Sequence, residues 1–447
     1  MMNTNRSLQL PSHRAYLALA LPLTISTITT PLLGAADTAI IGHLNNPAYL
    51  GGIAVGTLIF NTLYWLFGFL RVSTSGFTAQ AAGSGNQAEG IAALVRPLMI
   101  ALVIGMTFIA LQKPLLAAAL YFIGPEPDVA VQAVQYFDIR IWGAPLTLVN
   151  YVLVGWLMGL SRLKETLFVQ IFMNVFNIIL DLLFIQVFHW NVPGAAAATL
   201  IAEGLGCALG IMLVLRSRIW KEWRQNKTSE WKQWFQGSQW KRIMSTNSDL
   251  MIRTACLLAM FNLFTSQSAG LGTEVLAANA ILLQLQYMMA YFFDGFGNAS
   301  SILAGQARGS ASVLLLKRTL KLSWMWTAAV ALFISVLYGW LGRPLVALFT
   351  EHAAVQEIAG TYSHWLIWFP LSAGAGLVFY GVFTGMTLTY PIRNSMLVSL
   401  ALYLLAIAIL VPSYGNNGLW LSFLLFAVGR SAFLVMYIPH LFRKLSY

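Results

Sequence analysis

Apolar runs of the length a bilayer demands recur along this chain from end to end, and they leave few folds open. A transmembrane helix needs about 20 mostly apolar residues. Such runs fall at 15–42, 50–72, 94–118, 130–156, 167–189, 194–216, 248–270, 275–305, 319–341, 354–384, 393–412 and 417–440. Only 9% of the 447 residues are charged and 58% are hydrophobic, where a soluble domain carries about a quarter charged residues. The expected fold is an all-α membrane protein with twelve transmembrane helices.

The net charge of +11 does not mark a nucleic-acid partner, because the basic residues form no single groove or stripe. They sit between the apolar runs, where orientation signals belong. With the N-terminus cytoplasmic, the interior segments gather Arg6, Arg14, Arg162, Lys164, Arg216, Arg218, Lys221, Arg224, Lys227, Lys232, Lys241, Arg242, Arg308, Lys317, Arg318, Lys321, Arg393, Arg443 and Lys444. The exterior segments hold little beyond Lys113 and Arg343, and the acidic GPEPD (124–128) falls outside. This asymmetry fits an even span count with both termini cytoplasmic, in a bacterial inner membrane. The opening MMNTNRSLQLPSHR reads as a short polar leader that stays attached. Cys207 and Cys256 stand singly in apolar runs and read as small buried hydrophobes. The six histidines show no ligand spacing, so no metal centre and no cofactor is expected.

Between runs six and seven, basic residues alternate with Trp220, Trp223, Trp231, Trp234 and Trp240. Tryptophan with lysine suits a segment resting at the headgroup level against membrane lipid. This divides the chain into an N-terminal six-helix lobe (1–218), an interfacial linker (219–247) and a C-terminal six-helix lobe (248–447). The lobes resemble each other at an offset of about 226 residues, the internal symmetry of transporter folds. Tyr136, Ile141, Trp142, Gly155 and Gly159 match Tyr362, Ile367, Trp368, Gly381 and Gly385; Gln80 stands opposite Gln306. With six spans per copy the repeat is parallel, a pseudo-two-fold about the membrane normal.

Ionisable groups inside spans are functional candidates by default. Asp37 lies in span one and Asp181 in span five. Asn177 precedes Asp181 by four residues, so both share one helix face, and Asn174 continues it. Thr199 in span six and Asn150 in span four add donors and acceptors. At the repeat offset Asp37, Asn177 and Asp181 face Leu263, Tyr403 and Ile407, so this polar set belongs to the N-terminal copy alone. Two close carboxylates at bilayer depth cannot both ionise cheaply, which suits reversible proton binding. With the amide and hydroxyl oxygens, Asp37 and Asp181 alternatively suit Na⁺. Arg71 and Asp294 occupy similar depths in equivalent helices of opposite lobes, as a pair or gate facing a central cavity. No nucleophile with a base and no paired histidines lie at membrane depth, so an enzyme is not expected.

The stretches DTAIIGHL (37–44), FGFLRVSTSGFTAQAAGSGN (67–86), NVFNIILD (174–181) and LAANAILLQ…GQARG (276–309) resemble the multidrug and toxic compound extrusion (MATE) family, and FLRVSTSGFTAQA points to its DNA-damage-inducible F branch. The resemblance implies a two-lobed exporter that alternates its access and expels amphipathic, mostly cationic compounds in exchange for H⁺ or Na⁺. It assigns Asp37, Asn177, Asp181 and Thr199 to proton or cation binding. Where relatives often carry tyrosine one turn before the span-one acid, this chain has Leu33. The glutamate in span seven and aspartate in span ten of some Na⁺-coupled relatives are absent, which favours protons. A monomer is expected. A lipid-linked precursor flippase is the alternative within the same architecture, and it calls for more cavity cations than Arg71 supplies.

Overall fold

The structure is a computed structural model that describes residues 10–41, 47–225, 234, 237–443 and 445; the side chains of 29–41 and of 225 lie outside that description. Among the described residues every regular element is a helix. They are α1 (His13–Ile41), α2 (Pro47–Phe67), α3 (Phe69–Ser84), α4 (Gln87–Ala110), α5 (Gln112–Ile123), α6 (Pro127–Arg140), α7 (Ala144–Gly159), α8 (Leu163–Asp181), α9 (Asn191–Arg216), α10 (Arg218–Gln225), α11 (Gly237–Gly270), α12 (Thr273–Gly309), α13 (Val313–Ala347), α14 (Ala353–Tyr362), α15 (His364–Gly385), α16 (Tyr390–Met436) and α17 (Ile438–Arg443). Nine segments among the described residues are long and apolar enough to cross a membrane. One of them, Pro47–Ser84, runs α2 into α3, and another, Tyr390–Arg443, carries both of the last two expected spans.

Departures from the expected span limits have local causes. The third span begins at Gln87 instead of 94, because the Asn86 side chain caps the helix by accepting from the Glu89 N–H at 3.0 Å. A cap at that point satisfies an otherwise orphaned donor, so the helix begins early and takes in Glu89, which the hydropathy pattern places outside. The last two expected spans are two helices that meet within Tyr390–Met436 at Gly415, where φ is +55° and the backbone leaves the helical region, shortly after Pro412. Large apolar side chains such as Leu332, Phe333 and Ile409 are exposed, as expected of helices solvated by lipid.

The chain packs into two compact units, Thr29–Ile243 and Met1–Ile28 with Met244–Tyr447. The sequence boundary puts all of 1–218 in one lobe, whereas the first half of α1 packs into the C-terminal unit. Gly295 of α12 allows it, since a Cβ there would collide with Thr24. The Tyr16 hydroxyl lies 2.8 Å from Ser300 Oγ, and Thr27 donates to the Tyr291 carbonyl at 2.9 Å.

Each unit repeats the other in detail. Gly155 and Gly159 of α7 face the carbonyls of Arg71 and Ser75 on α3, too close for any Cβ. Gly381 and Gly385 of α15 make the same approach to the carbonyls of Gly297 and Ser301 on α12. Small residues let transmembrane backbones meet in this way. Left-handed residues recur at the same offset: Gly85 and Ala311, Ser161 and Thr387, His189 and Gly415. Ser312 caps α13 as Asn86 caps α4.

Part of the tryptophan-rich linker folds onto the N-terminal unit. The rings of Trp220 and Trp223 lie 5.2 Å apart, and those of Trp223 and Trp234 5.6 Å apart. The carbonyl of Trp234 accepts from Arg96 Nε at 3.2 Å and from Trp240 Nε1 at 2.8 Å. Arg96 also pairs with Glu89 at 2.8 Å. Trp231 lies outside the described residues.

Candidate functional site

Within the N-terminal unit, α8 and α9 form a tight hairpin that positions the polar residues. The helix widens after Asp181 into a π-helical turn, Leu182–Val187, a distortion that often accompanies function. His189 and Asn191 then take left-handed conformations and reverse the chain. The Phe184 and Trp190 rings, 4.9 Å apart, and Gly194, which has no room for a larger side chain, close the corner. The small residues of GAAAAT (194–199) let the two helices approach closely.

This hairpin brings Asn177 opposite Thr199. Asn177 donates through Nδ2 to Thr199 Oγ1 at 3.4 Å, and Thr199 donates to the Ala195 carbonyl at 3.0 Å. Asp181 sits one turn beyond Asn177, and both are 3% exposed. A carboxylate and an amide thus share one buried face of α8, with the half-buried Thr199 hydroxyl bonded to the amide. Asn174 is half-buried one turn earlier on α8. Asp37 lies on α1, but its side chain, like that of Leu33, is outside the described residues.

Asn150 of α7 bridges the two helices of the hairpin one turn away. Its Nδ2 donates to the Glu203 carbonyl on α9 at 2.9 Å and reaches Met173 Sδ on α8 at 3.9 Å. Its Oδ1 is buried with no hydrogen-bond partner among the described residues. A buried acceptor left unmet costs about 1–3 kcal/mol, and such a group is poised to receive a donor.

One element of the site escapes the sequence reading. Glu203, one turn from Thr199 on α9, forms a bidentate ion pair with Arg140 of α6, with N–O distances of 2.7 and 2.8 Å. Both residues are buried. The guanidinium lies over the rings of Phe60 at 5.4 Å and Tyr64 at 5.7 Å, and Gly143 leaves room for the pair, since a Cβ there would come 2.9 Å from Glu203 Oε2. Arg140 and Glu203 both lie inside expected spans, 130–156 and 194–216, and neither was singled out there. The available signal was an acid four residues from Thr199, on the same helix face.

Arg71 and Asp294 fall in different units. Arg71 is half-buried on α3, with its carbonyl against Gly155. Asp294 is half-buried on α12, and its charge reaches Arg430 within the C-terminal unit. A second missed group lies in the C-terminal unit. Buried Asp249 accepts from Arg393 at 2.9 Å and from Thr389 Oγ1 at 2.8 Å, turning an apparent loop cation into half of an ion pair. Cys207 and Cys256 are both buried and free.

A duplicated helical scaffold with an acid-bearing polar cluster in one copy defines a multi-pass membrane transporter, and comparison with known proteins agrees. The MatE family profile matches this chain twice, over residues 22–183 and 250–411. The chain is 36% identical over 428 residues to DNA damage-inducible protein F of Escherichia coli K12, covering 94% of this chain and 90% of that one. It is 23% identical to the multidrug resistance protein MdtK of Photorhabdus laumondii, over 95% of this chain and 93% of that one. The fold matches the bent form of the Vibrio cholerae MATE transporter VcmN with a TM-score of 0.83 at 19% identity, covering 97% of this chain and 98% of that structure. The chain therefore belongs to the MatE family of multidrug and toxic compound extrusion transporters, in the branch of DNA damage-inducible protein F.

Proposed function

We propose that this protein is a secondary active efflux antiporter that exports amphipathic, mostly cationic compounds in exchange for protons by alternating access. The observation that carries this reading is the buried pair Asp181 and Asn177 on one face of α8, with Thr199 bonded to Asn177, a set the C-terminal copy replaces with apolar and aromatic residues. Asp37 on α1 is its proposed partner. A carboxylate at bilayer depth costs about 2.5–3.5 kcal/mol on insertion scales, and protonation removes most of that cost. Gain of a proton from outside neutralises the cluster and lets the N-terminal helices repack to release substrate; loss of the proton to the cytoplasm resets the carrier. A membrane potential of about 100 mV supplies about 2.3 kcal/mol per charge moved, enough to bias two states separated by a few kcal/mol.

Sodium is the second reading, because Asp181 and Thr199 present hard oxygen donors and the Asn177–Thr199 bond uses only the amide nitrogen of Asn177. The protein acts as a monomer in the inner membrane, with both termini cytoplasmic and the tryptophan-rich linker on the lipid headgroups. The test is substitution: Asp37→Asn and Asp181→Asn should each abolish proton-driven efflux while substrate binding stays measurable. Full transport by both variants would remove these acids from the coupling role.

A further inference from the structure

The C-terminal unit contains a second charged site, of opposite sign to the acid cluster. Arg253 of α11 and Arg430 of α16 both line a small cleft, with Gly376 and Tyr380 of α15 and Ile392, Ser395 and Met396 of α16. Its interior holds one water-sized group, about 10 Å³. The Arg253 guanidinium carbon lies 4.2 Å from the centre of the Tyr380 ring. Arg430 packs against Gly376, where a Cβ would come 3.2 Å from Arg430 Nε. The two cations repel each other, and the Asp294 charge offsets part of that at Arg430; neither arginine takes part in a salt bridge among the described residues.

The cleft wall is poor in acceptors. Ser395 Oγ donates to the Ile392 carbonyl at 2.9 Å. Ser431 Oγ, beside the cleft, donates to the Ser372 carbonyl at 2.7 Å and accepts from the Gly376 N–H at 3.0 Å. Each guanidinium carries five N–H donors in a planar fork that matches an oxyanion. Two forks with few acceptors between them require a ligand that brings its own. Ile392 and Met396, both buried, supply an apolar wall beside the charges, so the ligand joins an anionic head to an apolar body.

We propose that Arg253 and Arg430 form a binding site for an amphipathic oxyanion, a phosphate or carboxylate head on an apolar chain. The site is independent of the acids in the N-terminal unit, and its readout is binding, so it stands or falls apart from proton coupling. A head larger than water requires the arginine stems to move aside.

The test uses the full chain in phosphatidylcholine nanodiscs, titrated with dodecyl phosphate and, in parallel, with dodecyltrimethylammonium, with empty discs subtracted. Dodecyl phosphate should bind saturably, and the double variant Arg253→Gln/Arg430→Gln should weaken it at least ten-fold while binding of the cation stays unchanged. Arg430→Lys, which keeps the charge and loses the fork, should weaken it several-fold; this variant decides the matter if the double variant fails to fold. Competition by discs doped with phosphatidate identifies a lipid headgroup as the natural occupant, and its absence identifies a soluble amphipath. Unchanged dodecyl phosphate affinity in a folded variant, or equal loss for both probes, overturns the proposal.

Discussion

Replacing Glu203 with glutamine should destabilise the N-terminal unit more than any other single polar change in it. The perturbation leaves Arg140 charged, buried and facing a neutral amide where it now makes two short bonds of 2.7 and 2.8 Å to a carboxylate. Removing one partner of a buried ion pair costs about 3–5 kcal/mol, because the remaining charge has lost its compensation. Two effects moderate the loss here. Glutamine retains one acceptor oxygen, and the Phe60 and Tyr64 rings hold the guanidinium at 5.4 and 5.7 Å, a cation–π contribution of about 1–2 kcal/mol that persists. The expected loss is therefore about 3 kcal/mol. The double replacement Arg140→Met/Glu203→Leu should recover most of it, since a well-packed apolar pair at a buried site is often as stable as the ions. Reversible unfolding in mixed micelles by titration with a denaturing detergent reads both numbers. A single variant as stable as the parent, or a double variant worse than Glu203→Gln, would refute the reasoning that uncompensated charge sets the penalty.

Two further substitutions probe the packing. Gly155→Ala and Gly381→Ala should each separate a helix pair whose backbones touch in the same way in the two units, costing about 1–3 kcal/mol by overpacking; similar losses in the same unfolding assay would show that the repeat is energetic as well as geometric. Asn279→Leu should cost about 3 kcal/mol or more, because Asn279 bonds Ser268, Asn416 and Trp420 within 3.1 Å and its loss leaves several buried groups unsatisfied; a neutral result would mean that those groups find other partners.

How far the sequence reaches follows from what sets each feature. The repeat was legible because close backbone contact demands glycine, and Gly155, Gly159, Gly381 and Gly385 report that demand directly. The pairing of Asn177 with Thr199 was legible in part: helical spacing puts Asn177 beneath Asp181, but the facing residue depends on a π-helical turn and two left-handed residues that carry no strong composition signal. The first half of α1 was misplaced because an apolar helix carries no mark of the bundle it joins; a missing Cβ at Gly295 decides that. Asp249 stands at a span end and reads as interfacial, whereas Glu203 lies inside the sixth expected span; in both cases only the structure shows the arginine, Arg393 or Arg140, that makes the burial tolerable.

Gradients of H⁺ and Na⁺ applied separately decide whether export is coupled to protons. Proteoliposomes holding the purified protein and a fluorescent organic cation such as ethidium would be exposed in turn to a pH gradient, acidic outside, and to a Na⁺ gradient at equal pH. Efflux should accelerate under the pH gradient alone, remain at the leak rate under the Na⁺ gradient alone, and lose its pH response in the Asp181→Asn variant. Efflux driven by Na⁺ alone, or a pH-driven rate that survives the loss of Asp181 and of Asp37 together, would contradict the account.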